Sequence, residues 1–445
     1  MNQRTRLSLF VVQALIVSLM VALFGRLFYL QVAAGGRYKE AALNIQSRDI
    51  VVPATRGLIV DASGVPLALN RVGLAVTVDR SVIDKQPDKG FATLSKISKI
   101  LGLNSTDVWR HTRLCGEITS GDKTGCWVGN RFQPIPITKD ADPSIALQIV
   151  ERSSEFPGID AKPTSVRYYP GTLGATGAHV LGYVGALTDS DLAKDNGTRY
   201  YRSESIGKDG LEFVYDSYLR GRPGIKTVIV DRKESVTEKS RDTAAVPGAH
   251  LVTSLDVRIQ GAAEAGLATA VNSARAQGFR ADGGAAVVMD VRTGRVLALA
   301  SYPTYDPNIW EKGLTVAQAK DMYSAASYVP ALSRPLAGLF APASTFKALS
   351  IFSAVKAGYN LNAVYDCPGT YKVGNREFTN YEAKSLGRMN LKTGIAVSCD
   401  TLWYKIAYAE WLKDGGLSPK SPNDYFFSTA HQFQLDQKTG IDLPG

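Results

Sequence analysis

Beyond residue 247 the chain predicts an α/β sandwich with an antiparallel sheet, and three consecutive stretches predict it. The first, "SLDVRIQGAAEAGLATAVNSARAQ" (254–277), sets Ile259, Ala263, Leu267, Ala270, Val271 and Ala274 on one stripe, with Ser254 or Asp256 available as the cap; that is an amphipathic helix. The second, "GAAVVMDVRTGRVLALASYP" (284–303), is two apolar runs around "DVRTG", a β-hairpin. Its arms are apolar nearly throughout, so both faces are expected to be covered. The third, "FAPASTFKALSIFSAVKAG" (340–358), opens on Pro342 at a helix start and carries Phe346, Leu349, Phe352 and Val355 as expected core positions.

Upstream the texture differs. "LSLFVVQALIVSLMVALFG" (7–25) is 19 residues without a charge, enough to cross a bilayer core. Arg4 and Arg6 precede it, which favours a cytoplasmic tail at 1–6 and places the rest of the chain outside, as a single-pass protein. The small residues of "QVAAGG" (31–36) would suit a cleavable signal peptide, but the apolar run exceeds the usual length for one, so an uncleaved anchor in contact with membrane lipid is expected. "PATRGLIVDASGVPLALN" (53–70) reads as short extended runs about a Gly-containing turn, and residues 34–247 show no catalytic constellation. The polar segment "VTEKSRDTAAVPGA" (236–249) marks a boundary to a second domain at 248–445.

Composition narrows the function. The chain has 445 residues, 45% hydrophobic and 21% charged, as folded proteins do. Its formal charge is +10, but the basic residues are scattered and no nucleic-acid motif accompanies them, so no nucleic-acid partner is expected. The four histidines have no metal-ligand spacing, and neither a metal nor a cofactor is expected. Four cysteines are few; Cys115 and Cys126 flank "GEITSGDKTG" and could close it in an oxidising compartment, whereas Cys367 and Cys399 lie in different surroundings.

The chemistry sits in the third stretch. Ser344 and Lys347 are three residues apart, so on a helix they share a face. A serine at a helix N-terminus meets free N–H groups that stabilise a developing oxyanion, and a desolvated lysine is a usable base for its proton. A Ser-x-x-Lys match arises about once by chance in a chain of this length. "SIGK" (205–208) is another, in Gly-rich surroundings that read as loop, and Ser344 taken alone is as good a helix cap as a nucleophile. Downstream, "SCD" (398–400) precedes a helical pattern with Leu402, Ile406 and Trp411. Asp400 would serve as an N-cap there, or Ser398 would relay a proton while Asp400 holds Lys347 by charge.

The order "RGLIVDASGVPLALN", "GKDGLEFVYDSYLRGRPG", "GGAAVVMDVRTGRVLALASYPTYDPN", "APASTFK", "SCDTLWYK" and "TGIDLPG" resembles class B penicillin-binding proteins, and specifically the penicillin-binding protein 2 type, from the anchor to the last residue. The resemblance implies a serine penicillin-recognising transpeptidase fold on a non-catalytic pedestal of dimerisation type. It implies that Ser344 attacks the D-Ala-D-Ala bond of a peptidoglycan stem peptide and Lys347 is the base. Ser398 shuttles the proton, Asp400 supplies charge, and β-lactam antibiotics trap the same serine. It further implies elongation-type cross-linking at the bacterial plasma membrane with the catalytic domain extracytoplasmic, and partnership with a membrane glycosyltransferase of the shape, elongation, division and sporulation type. Rival readings are a β-lactamase or carboxypeptidase, a division-type transpeptidase, and a non-catalytic scaffold or β-lactam-binding protein. Two departures stand out. Ala343 replaces the family's glycine before the nucleophile, and neither "LKTG" (391–394) nor "QKTG" (437–440) looks like the family's Lys-Thr-Gly strand, so the transpeptidase domain is expected to be C-terminally incomplete.

Overall fold

The apolar N-terminal run forms the helix Gln3–Phe28, continued by a π-helical turn at Tyr29–Ala33. The segment Phe10–Ala33 is long and apolar enough to cross a membrane and fits a single-pass anchor. Phe10, Leu15, Leu23 and Phe24 along it present more than half of their surface outward. The computed structural model describes residues 3–37, 47–118, 125–129, 132–193, 200–201, 204–230 and 236–444. They divide into two compact units, Met1–Ala337 with Leu443–Gly445, and Gly338–Asp442.

In the first unit, Ile59–Val60 and the long strand Pro66–Val78 pair antiparallel about the expected turn, where Gly64 takes φ +87° and its N–H reaches the Asp61 carbonyl at 3.1 Å. Pro66–Val78 also pairs with Ile135–Thr138 and Ile159–Tyr168, both antiparallel, and Leu251–Val252 joins parallel beside Ile59–Val60. Helices at Phe91–Ile100 and Pro143–Glu151 cover this sheet through a core that includes Val76, Val78, Ile83, Leu94, Ile97, Ile135 and Ile149. A separate antiparallel ladder joins Ser47–Val52, Gly224–Val230 and Val236–Thr243. Cys115 and Cys126 form a disulfide with Cα atoms 5.2 Å apart.

The predicted helix spans Val257–Ala276, with Asp256 as cap through Arg258 N at 2.9 Å, while Ser254 instead donates to the Val296 carbonyl. Its buried face departs from the apolar stripe. Val257, Gln260, Gly261, Glu264 and Val271 are buried, whereas Ile259, Ala263, Leu267 and Ala274 are half-buried and Ala270 is exposed. Burial of two polar side chains is supported by full pairing: Gln260 exchanges hydrogen bonds with Leu299 N and O, and Glu264 accepts from Thr176 N, Gly177 N and Gln260 Nε2.

The hairpin forms as predicted, Gly284–Met289 against Val296–Tyr302, antiparallel with Gly284 opposite Tyr302. Its second arm is covered, Ala298 to Ala300 being buried. Its first arm alternates, and Val287 and Met289 are each 52% exposed, so the expectation of cover on both faces fails there. The "SIGK" stretch is strand at Ser205–Gly207, paired with Val184–Ala186, and Lys208 is taken by Asp191. It reads as structure rather than as a loop.

The second unit carries four α-helices, Lys347–Lys356, Leu391–Ala396, Asp400–Lys413 and Tyr425–Gln432. Two small antiparallel ladders accompany them, Tyr365–Cys367 with Gly387–Met389 and Thr370–Val373 with Arg376–Thr379. The core joins Ala354, Cys367, Met389, Leu391, Cys399, Leu402, Trp403 and Ile406. Leu402 and Ile406 are buried as predicted, but Trp411 is not. On Lys347–Lys356 the expected apolar core is also shifted: Phe346 and Leu349 are half-buried, Phe352 and Val355 exposed, and the buried side chains are Lys347, Ser350, Ser353 and Ala354. Small residues on that face let neighbouring helices approach closely, which the bulky ones would prevent.

Candidate active site

Pro342 starts a 3₁₀ turn, Ala343–Phe346, that runs directly into the helix Lys347–Lys356. Ser344 lies in the turn with its side chain exposed, and Lys347 begins the helix at 8% exposure. The sharpness of the entry is local. Ala343 takes φ +49°, a left-handed conformation that glycine adopts without penalty and alanine does not. The departure from the family's glycine therefore falls at a position whose backbone favours glycine.

Ser398 lies just before Asp400–Lys413, also at positive φ, +55°. The turn brings its hydroxyl and carbonyl to Lys347: Nζ stands 3.0 Å from Ser398 Oγ and 2.9 Å from Ser398 O, and it forms an ion pair with Asp400. Ser398 Oγ is in turn 3.0 Å from Ser344 Oγ. All four residues singled out in the sequence thus meet in one cluster inside one compact unit. Lys347 is buried while Ser398 and Ser344 are exposed, so this chain of hydrogen bonds opens to solvent at its serine end.

Three Lys347 Nζ contacts, to two oxygens of Ser398 and one of Asp400, are what an ammonium with three N–H donors can satisfy. In that resting arrangement the hydrogen bonds run from Lys347 to Ser398 to Ser344. Removing the Ser344 proton requires the same chain to run the other way, from Ser344 through Ser398 to a neutral Lys347. The distances serve both directions, because a hydroxyl is donor and acceptor at once.

Sequence reasoning missed two contributors. Cys399 is disulfide-bonded to Cys367, with Cα atoms 6.3 Å apart, although the two lie in unlike sequence surroundings. Asn380, 3% exposed, accepts from Asp400 N at 2.9 Å and Thr401 N at 3.0 Å. The even cysteine count was the only sequence signal for the first, and the second gave none. Neither Lys-Thr-Gly match is strand: Lys392 to Gly394 sit on the helix Leu391–Ala396, and Lys438 to Gly440 lie outside helix and strand, with Gly440 at φ +79°.

Comparison with known proteins places the chain in a family. Residues 51–253 match the model of the penicillin-binding protein dimerisation domain, and residues 284–445 that of the penicillin-binding protein transpeptidase domain. The chain belongs to the class B penicillin-binding proteins and is of the penicillin-binding protein 2 type. Peptidoglycan D,D-transpeptidase MrdA of Escherichia coli (strain K12) is 29% identical over 453 residues, covering 98% of this chain and 64% of the relative, so the chain spans less than two thirds of that protein's length. Penicillin-binding protein 2 of Helicobacter pylori, solved in complex with MreC, superimposes with TM-score 0.67 at 23% identity over 90% of this chain and 68% of that one, a likeness of fold. A peptidoglycan synthase complex described as coordinating polymerization and crosslinking gives TM-score 0.57 at 25% identity, over 98% and 69%.

Proposed function

We propose that this protein is a membrane-anchored D,D-transpeptidase that cross-links peptidoglycan stem peptides in cell-wall elongation. The observation that carries the reading is the continuous relay: Lys347 Nζ, Ser398 Oγ and Ser344 Oγ at successive distances of 3.0 Å, open to solvent at the Ser344 end. In the proposed reaction Ser344 Oγ attacks the carbonyl between two D-alanines. Its proton passes through Ser398 to Lys347, the C–N bond breaks, and the leaving D-alanine amine takes up the proton. An ester joins Ser344 to the stem peptide. An amine of a neighbouring strand then attacks that ester, forms the cross-link, and returns the proton to Ser344. Asp400 supports the charge that Lys347 acquires between the two halves. β-Lactams acylate the same oxygen.

On this reading residues 34–247 are a non-catalytic pedestal and 248–445 the transpeptidase domain, with residues 7–25 in the plasma membrane, 1–6 in the cytoplasm and the remainder outside. The related proteins solved with MreC and within a synthase complex support a partner in the same assembly, a membrane glycosyltransferase that makes the strands to be joined. The open relay favours catalysis over a purely binding role, since a scaffold has no need of a lysine held beside two exposed hydroxyls. Labelling of the full-length protein by a fluorescent penicillin is the test. Covalent label that vanishes in Ser344→Ala supports the nucleophile; absence of label from the unmodified protein overturns the catalytic reading.

A further inference from the structure

We propose that Asn380 and the Cys367–Cys399 bridge are positioning elements of the acylation step, holding Ser398 and Asp400 against Lys347, and that Ser344 reacts at full rate only while both are in place. The inference rests on the reading of Ser344 as nucleophile.

The helix Asp400–Lys413 begins with N–H groups that have no acceptor within the helix. Asn380 Oδ1 takes those of Asp400 and Thr401, at 2.9 and 3.0 Å, and Cys399 Sγ takes that of Leu402 at 3.3 Å. The cap therefore comes mostly from a side chain twenty residues upstream. Asn380 is itself anchored, since its Nδ2 donates to the carbonyls of Pro368 and Lys384, each at 2.9 Å. The amide is thus committed on both sides to one arrangement of three segments.

The disulfide fixes the same turn covalently. Cys367 ends the strand Tyr365–Cys367, which is paired with Gly387–Met389, and both cysteines are fully buried. Between this bridge and the helix Leu391–Ala396 stands Ser398 at φ +55°, a conformation that is strained for a non-glycine residue and persists where the surroundings over-determine it. Here the surroundings are Cys399, bonded to the strand immediately after it, and Asn380 on the next two amides. Neither clamp touches Ser344 or Lys347 in the described contacts, but both of the residues that Lys347 contacts lie within the clamped turn. Released from the clamps, Ser398 can return to negative φ, which swings its hydroxyl away from Ser344. A one-ångström displacement of that kind costs on the order of 100-fold in rate.

The test uses the full-length protein carrying Cys115→Ser and Cys126→Ser, so that Cys367–Cys399 is the bridge under study. Acylation by a fluorescent penicillin is resolved into the non-covalent dissociation constant and the acylation rate constant, and thermal melting is followed in parallel. A dithiol reductant converts the bridge to two thiols with transfer of two electrons and two protons, closing into a cyclic disulfide; alkylation and mass measurement confirm the opening. A Cys367→Ala/Cys399→Ala variant makes the result independent of reductant access, and Asn380→Ala removes the cap alone.

The expected result is an acylation rate constant lower by on the order of 100-fold in each case, with the dissociation constant changed less than about twofold and melting still cooperative. Reoxidation with a disulfide oxidant should restore the rate of the reduced protein. An acylation rate that survives either loss of the bridge or Asn380→Ala overturns the proposal. So does a parallel collapse of binding, rate and cooperative melting, which would assign these groups to folding alone. If the unmodified, oxidised protein takes no label, it is the reading of Ser344 that fails.

Discussion

Two clusters of buried charge invite comparison. In the first unit Glu212, fully buried, is held by Arg56 Nε at 2.6 Å and by Arg167 Nε at 2.6 Å, and Arg56 also reaches Asp216 at 2.8 Å. Tyr169 Oη adds a contact to Glu212 at 3.3 Å, and Gly207 N donates to Asp216 at 2.8 Å. In the second unit Lys347 is paired with Asp400, but Asp400 keeps 27% of its side chain in solvent and the chain of hydroxyls leads outward to Ser344. Both clusters pair their buried charges. The Glu212 cluster turns its charges inward onto one another, and the Lys347 cluster leaves one end free for a substrate. On the proposed function, what separates the structural ion cluster from the reactive one is the unfilled end, not the presence of paired charge.

That contrast predicts opposite symptoms on mutation. Lys347→Ala should lower the penicillin acylation rate by on the order of 10³-fold while the melting temperature moves little, because Asp400 can turn to water. Stopped-flow labelling with a parallel thermal melt checks it, and a large loss of stability with acylation retained would erase the distinction. Glu212→Ala should do the reverse. Leaving Arg56 and Arg167 buried without their anion costs about 3–5 kcal/mol, read as a shift in denaturant midpoint. Protein that still folds should label at the normal rate, since the two clusters lie in different compact units.

The same contrast explains what could be read in advance. Ser344, Lys347, Ser398 and Asp400 were legible because two short spacings and one motif order carry them, and helix geometry turns spacing into proximity. The hairpin was legible from its two apolar runs. Gln260 and Glu264 were not, since an apolar stripe assumes that polar residues face water, and these two are buried only because Leu299, Thr176 and Gly177 satisfy them. Phe352 and Val355 misled for the complementary reason, the buried face being built from small residues whose value lies in close approach. Asn380 was invisible because its cap acts across twenty residues, and the pairing of Cys367 with Cys399 because four cysteines admit three connectivities that spacing cannot rank.

Acid should sharpen the contrast by loosening the first unit. His179 is buried there with Nε2 2.7 Å from the Pro330 carbonyl, and burial lowers its pKa despite that hydrogen bond and the nearby Glu264 charge. With the folded pKa below the ordinary value of about 6.5, the unfolded chain takes up its proton first. The neutral form's stability is therefore fully present above about pH 6.5 and is lost as pH falls through that value towards the lowered folded pKa. Melting curves between pH 7.5 and 5.5 should show this decline, and His179→Gln should flatten it. An identical decline in the variant would place the proton elsewhere.

The smallest predicted effect tests the open end of the relay itself. Ala343 holds φ +49° in the turn that presents Ser344, where a Cβ costs about 1 kcal/mol relative to glycine. Glycine also enlarges the entropy of the unfolded chain, which offsets part of the gain, so Ala343→Gly should raise stability by less than about 1 kcal/mol. If the turn's conformation is imposed by its surroundings, the acylation rate should not change, because Ser344 already occupies its position. If instead alanine's strain keeps the turn partly out of that conformation in solution, the variant should acylate faster by the same factor that it stabilises, about fivefold at most. Measuring both quantities on one preparation decides between them. A stability loss in Ala343→Gly would show that the turn does not hold the left-handed conformation on which the exposed end of the relay depends.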